Sequence, residues 1–262
     1  FVKNKYMEHG IKYEDVAIMI YEEKNNVHIK EYGCIPHPTI PFLGASPDGI
    51  CSKESKNKQL IGRMLEIKCP STRKITGIPT IEYGVQMQGQ LEVCGLEYCD
   101  FLECDIKEYN TVEEYMEDTD REFKGCVIQV YNNTTENKQF FYSKLNINKE
   151  ELDLWIDNIV DIILSDENLD SYTQSYWKLE TYSCVLIKRN KEWFQEYYPK
   201  MKAFWEKVEY HKQNGHQHLL GKSKTPFQKS KTFQTYPLLP DIEDANKVSQ
   251  HSQGFKTFPL LP

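Results

Sequence analysis

The sequence predicts an α/β domain on a mixed sheet, followed by a basic tail, and three observations predict it. Segments with helical periodicity alternate with short runs that alternate like strands. Turn-forming residues mark the boundaries, among them Asn25-Asn26, the prolines at 36, 38 and 41, and Ser46-Pro47-Asp48-Gly49. From about residue 211 the periodic apolar positions stop, and Lys, Gln, Ser, Thr and His take over.

In order, residues 1–23 read as a helix whose apolar stripe holds Val16, Ala17, Met19 and Ile20. Val27 to Cys34 alternates as a strand, Phe42 to Ile50 is a short strand ending in the turn, and Ile61 to Cys69 is another, stopped by Pro70. Ile81 to Leu96 is helical, with Val85, Leu91, Val93 and Cys94 among its apolar positions. Tyr98 to Asp105 and Cys126 to Tyr131 read as strands. Residues 149–164 and about 172–209 read as a helical extension, the second helix kinked or split by Pro199. The expected division is a nuclease-sized domain over 1–210 and a disordered tail over 211–262.

The 262 residues, 39% of them hydrophobic, suffice for one core of roughly 150–200 residues with extensions. No apolar run approaches the roughly 20 residues that span a bilayer, so no membrane partner is expected. The opening Phe1-Val2-Lys3-Asn4-Lys5-Tyr6 has no secretory signal pattern, which points to an intracellular protein. It also lacks an initiator Met, and so reads as a fragment of a longer product. The eight cysteines form no CxxC pair, and the closest set (Cys94, Cys99, Cys104) is spaced too widely for a zinc or iron–sulfur site. They read as reduced thiols.

The net charge of −7 argues against a generic basic nucleic-acid binder, but the charge is unevenly spread. The tail from residue 211 is basic, with seven Lys against three acidic residues, and the body before it is acidic. An acidic body can still hold DNA along a locally basic groove, and clustered carboxylates suit a cation site.

The chemistry concentrates between Ser46 and Lys68. Glu66 and Lys68 of Leu65-Glu66-Ile67-Lys68 share one strand face, whereas Ile67 points into the core. A Glu and a Lys in that position, near Asp48 of a neighbouring strand, are costly unless something pairs them. A hard divalent cation does, and Asp48, Glu66 and the Ile67 carbonyl are three oxygen donors suited to Mg²⁺, with Mn²⁺ as a substitute. Such a cation polarises a phosphodiester and activates water. Lys68 would orient that water, act as its base or neutralise the transition state, and the sequence does not choose among these. In isolation an Asp followed by Glu-x-Lys is a weak signal, since such triples recur by chance.

Four motifs in order strengthen it. Gly10-Ile11-Lys12-Tyr13-Glu14, Ala45-Ser46-Pro47-Asp48-Gly49, Leu65-Glu66-Ile67-Lys68-Cys69-Pro70 and Tyr83-Gly84-Val85-Gln86-Met87-Gln88 together resemble the phage lambda exonuclease and YqaJ-type viral recombinase family of PD-(D/E)xK nucleases. The resemblance covers residues 1 to about 131. It implies a restriction-endonuclease-like fold, with Asp48 and Glu66 as metal ligands and Lys68 as the catalytic lysine. It further implies that Glu14 helps hold a metal, through water or as ligand of a second ion, and that Gln86 hydrogen-bonds within the site to position Lys68 or substrate. Tyr83, on an apolar helix face, reads more simply as core. Family members carry a further segment ahead of the Glu helix that engages the DNA end and its 5′ phosphate. This chain starts at that helix, so strong 5′-end selection is not expected of it.

The expected function is therefore a Mg²⁺-dependent DNA nuclease, an exonuclease acting on duplex ends in viral recombination or genome processing, in host cytoplasm or nucleus. The alternatives are an endonuclease or resolvase with the same site, and a noncatalytic end-binding scaffold. Family members form rings, which makes a homo-oligomer one expectation. Lys231 to Pro240 is echoed by Phe255 to Pro262, and these FPLLP-like peptides suit docking of a strand-annealing or replication partner.

Other features have plainer readings. His216-Gln217-His218 lacks nearby co-ligands. The aromatic run Trp193, Phe194, Tyr197, Tyr198, Phe204 and Trp205 would stack bases or, more simply, pack as core or subunit contact. Lys12, Arg73 and Lys74 read as phosphate contacts or as solvated charges, and the acidic run from Glu113 to Glu122 as a solvated face.

Overall fold

The computed structural model describes residues 5–135 and 137–220. Contacts divide these residues into two units, one from segments up to residue 30, 48–78 and 100–185, the other from 31–47, 79–99 and residues from 186 on.

The first unit is the body of a seven-stranded sheet. Helix α1 (Lys5–Asn25) leads to strand β1 (Ile29–Lys30), and β4 (Gly49–Cys51) and β5 (Met64–Lys68) follow the excursion of residues 31–47. Strand β6 (Tyr98–Glu108), helix α3 (Val112–Glu117), β7 (Lys124–Asn132), β8 (Asn137–Tyr142), α4 (Lys149–Ser165) and β9 (Leu169–Lys188) complete it. The strand order is β1-β4-β5-β6-β9-β7-β8, with antiparallel pairs β1–β4, β4–β5, β7–β8 and β7–β9. The expected α/β class with a helix-flanked sheet therefore holds.

Alternation explains how both faces are covered. On α1, Tyr13, Val16, Ala17, Ile20 and Tyr21 fall on one stripe and are fully buried with Leu65 and Ile67 of β5, Leu102, Cys104 and Ile106 of β6, and Val127 of β7. Burying each such aliphatic side chain contributes about 1.5–3 kcal/mol. The neighbours of Val127 point the other way: Cys126 packs with Leu152, and Ile128 and Val130 with Ile159 and Ile163 of α4.

In the second unit, β2 (Ile35–Pro36) pairs with β3 (Gly44–Ala45), beside helices α2 (Ile81–Cys94) and α5 (Lys191–Asn214). Thr80 caps α2, its hydroxyl accepting from the Tyr83 N–H, and Gly95, at φ 66°, ends it in the left-handed region. Phe42 stacks against Tyr198 and Trp205 at 6.4 and 5.7 Å, and Trp193 and Phe194 are buried. The α5 aromatics thus pack within the unit, with Phe204 left at the surface.

Several boundaries differ from expectation. Residues 172–188 are strand, not helix, as part of the 20-residue β9. Its aromatic and β-branched residues suit a pleated surface, and the register Lys124↔Lys178 to Asn132↔Leu169 with β7 decides the matter. Trp177 and Leu179 are then buried at alternate positions. The expected strand 27–34 shortens to β1 and the expected strand 42–50 divides into β3 and β4, because only two or three residues of each find partners. Strand β8 carried no signal in its polar first half, Asn137-Lys138-Gln139. Pro199 does not split α5, which runs on to Asn214, and a 3₁₀ turn covers Gln217–Leu220. The chain is thus ordered past 211, where polar helical residues mimic a tail. The repeated peptides lie outside the described residues. Among the described residues no helix is long and apolar enough to cross a membrane.

Candidate active site

The antiparallel register pairs Gly49 with Leu65 and Ile50 with Met64, which sets Asp48 across from Glu66 one step further on. Because Leu65 and Ile67 enter the α1 core, Glu66 and Lys68 occupy the opposite face of β5. Glu66 is fully buried and ion-paired to Lys68 through Oε1. The Ile67 N–H donates to Asp48 Oδ2 at 2.6 Å, which locks the Ser46-Pro47-Asp48-Gly49 turn onto β5. Gly49 is required for a separate reason, since a Cβ there would lie 2.3 Å from Ile29 Cγ2 on β1.

Asp48 feels three unfavourable influences. Burial, then Glu66, then the more distant charge of Glu14 push its carboxyl up to about 7, with the Ile67 N–H and Lys68 opposing them. Glu14 is half-buried on α1, and its charge also acts on the buried Cys69. The flanking residues hold that turn of α1 in place. Tyr13 OH donates to Glu108 Oε1 at 2.7 Å, and Lys12 reaches the same oxygen at 2.7 Å and Ser175 Oγ at 2.9 Å. Lys12 is thus ion-paired to Glu108 within the fold.

Asp48, Glu66 and Lys68 are thus brought together, with Glu14 within electrostatic reach. Among the described residues no three acidic, His or Cys side chains already converge as a metal cluster. The donor chemistry still fits a hard divalent cation: two facing carboxylates share one lysine, and backbone oxygens on β5 lie alongside.

Gln86 lies on an exposed position of α2. The buried glutamines of that helix are Gln88 and Gln90, which the motif reading did not single out as positioning groups. Gln88 donates to the Lys188 carbonyl at 2.9 Å and accepts from the Asn190 N–H at 2.7 Å. Gln90 donates to the Ser46 carbonyl at 3.3 Å, two residues before Asp48. The spacing Gly84, Met87, Gln88, Leu91 is the i, i+3, i+4, i+7 pattern of an inward face, so a helical count would have placed Gln88 inside.

With this geometry in place, likeness to known proteins gives the class. Residues 1–97 match the model of the YqaJ-like viral recombinase domain family. An uncharacterized protein of Acanthamoeba polyphaga mimivirus is 34% identical over 248 residues, covering 82% of this chain and 45% of that protein. The chain thus spans about half the length of the curated relative it matches. Two crystal structures are also similar in sequence. One is LHK-Exo in complex with dAMP, at 26% identity over 63% of this chain and 69% of that one, with a TM-score of 0.35. The other is the alkaline exonuclease LHK-Exo from Laribacter hongkongensis, at 27% identity over the same shares, with a TM-score of 0.34.

Proposed function

We propose that the chain is a divalent-metal-dependent DNA nuclease with a restriction-endonuclease-like centre, working from duplex ends in recombination or genome processing. The carrying observation is the juxtaposition of Asp48, Glu66 and Lys68 within the residues that match the YqaJ-like viral recombinase domain family. Two carboxylates facing each other in a largely buried site, with a lysine paired to one of them, make a donor set suited to a hard divalent cation.

In this reading Asp48, Glu66 and the Ile67 carbonyl hold Mg²⁺ or Mn²⁺, with Glu14 assisting through water or a second ion. The bound ion supplies Lewis-acid polarisation of the phosphoryl oxygen and a lower pKa for coordinated water. Lys68 is held by Glu66 at the edge of the site, so an approaching phosphate competes for its ammonium. The Ile67 N–H keeps one Asp48 oxygen fixed and leaves the other for ligation. Gln86, exposed on its helix, is assigned to substrate contact over the positioning of Lys68.

End-labelled linear duplex, with 5′ phosphate or 5′ hydroxyl, and a closed circle separate the possibilities in Mg²⁺ and in EDTA. Linear DNA is expected to be degraded only with Mg²⁺ and the circle spared. Lys68→Ala should lower cleavage at least about 10³-fold, some 4 kcal/mol of transition-state stabilisation, with folding and DNA binding retained. A folded Lys68→Ala protein cutting at the parental rate would overturn the mechanism, and nicking of the circle would replace the exonuclease by an endonuclease.

A further inference from the structure

An acidic body needs a local run of positive charge to hold DNA, and the loop that joins β4 to β5 carries one. Lys53, Lys56 and Lys58 lie on it, all three exposed. Its base is closed by the sheet: the Cys51 N–H donates to the Arg63 carbonyl and the Gly62 N–H to the Cys51 carbonyl, each at 2.9 Å.

The middle of the loop is fastened to the turn after α1. Ser55 is 1% exposed, and its hydroxyl accepts from the His28 N–H at 3.0 Å and donates to the His28 carbonyl at 3.3 Å. The Asn57 N–H donates to the Asn26 carbonyl at 2.9 Å, and its side-chain amide to the Asn25 carbonyl at 3.2 Å. Lys58 Nζ donates to the Lys53 carbonyl at 3.1 Å, which draws the two ends of the lysine run together.

Among the described residues none of these three lysines pairs with a carboxylate, although the loop holds one of its own. Glu54 meets His28 instead, Oε2 lying 3.5 Å from Nε2. Elsewhere in the unit Lys12, Lys24, Lys107, Lys138 and Lys178 each pair with an acid. Like charges held on a fixed loop repel one another, and a polyanion laid across them removes that cost. The strand before the loop ends three residues past Asp48. At roughly 3.3 Å per residue the loop begins about 10 Å from the facing acids, a length that about three base pairs of duplex span.

We infer that Lys53, Lys56 and Lys58 form a docking surface for the backbone of duplex DNA whose reacting phosphate lies at Asp48, Glu66 and Lys68. The inference rests on the nuclease reading above and adds to it the place where the substrate is held. An ammonium meets a phosphate as a point charge and reads no base, so this contact fixes the duplex without choosing its sequence.

Binding of a fluorescent duplex in Ca²⁺ as a function of salt, with kcat and KM for cleavage in Mg²⁺, tests this on the full chain. The test variant is Lys53→Gln/Lys56→Gln. The control is Lys144→Gln/Lys149→Gln, two exposed lysines of the same unit whose loss changes the net charge equally. The loop variant is expected to raise Kd and KM roughly 10-fold, alike on duplexes of different sequence, and to lower the salt slope by about two. Adding Lys58→Gln should lower the slope by about one more, and Lys53→Arg/Lys56→Arg and the control should keep the parental slope. A loop variant with the parental Kd, KM and slope overturns the inference. So does a control that shifts them as far, since net charge would then be the cause. If the parent neither binds nor cuts duplex, the nuclease reading falls and this inference with it. If the parent does both, the loop variant and its control decide the role of the lysines alone.

Discussion

Asp100 and Glu66 are both buried carboxylates on adjacent strands, yet their charges are answered differently. Asp100 receives Arg63 Nη1 at 2.6 Å on one oxygen and the Tyr21 hydroxyl at 2.7 Å on the other. One acid meets one cation and one neutral donor, and the account closes within the fold. Glu66 shares Lys68 with a facing Asp48, and Glu14 adds a third negative charge within range. The first arrangement ties α1, the segment before β5 and β6 together, whereas the second gathers acidic groups around one lysine at the end of β5.

The sharpest way to break this contrast is to remove one partner from each site. Asp100→Ala should cost about 3–5 kcal/mol in urea unfolding, because it strands the largely buried Arg63. Cleavage per folded molecule should stay near the parental rate. An Asp100→Ala protein as stable as the parent would show that the pair is not structural.

Metal response comes next in size. Mg²⁺ at about 100 times its Kd should stabilise the parent by about 2.7 kcal/mol, a rise of several degrees in melting temperature. Asp100→Asn should retain that rise and Glu66→Ala should lose it. An equal response in both variants would place the ion elsewhere.

The pH effect is the smallest per pH unit. The Asp48 carboxyl is raised in the folded state to about 7, so its contribution to stability is complete below the unfolded value near 4 and is lost as pH rises through about 7. Without metal, the parent should therefore lose stability relative to Asp48→Asn between about pH 4 and 7, by at most about 1.4 kcal/mol per pH unit. Urea midpoints in EDTA measure it, and a constant difference across that range would remove the Asp48–Glu66 conflict.

The site was legible wherever chemistry and period coincided. Glu66 and Lys68 flank an apolar Ile67, and strand alternation alone places them on one face. Gln86 lies on the exposed side of its helix, which a motif of residue types does not reveal, and helix periodicity turns Gln88 inward. Glu103 and Asp100 were invisible, since a buried acid on a strand is recognised only from its neighbours. In the fold, α1, α2 and β5 were readable from local pattern. β9 was not: its aromatic-rich run suits either element, and only pairing with β7, some 40 residues away in sequence, settles it.

The glycine after Asp48 carries a consequence for genetics. With Ile29 packed where its Cβ would go, substitution at Gly49 pushes β1 away from β4 without touching any acid. A loss-of-function screen would recover Gly49 and Asp48 side by side and suggest one shared role. On the proposed mechanism the two defects are of different kinds: loss of Asp48 yields an intact protein that cannot act, and substitution at Gly49 lowers the amount of intact protein.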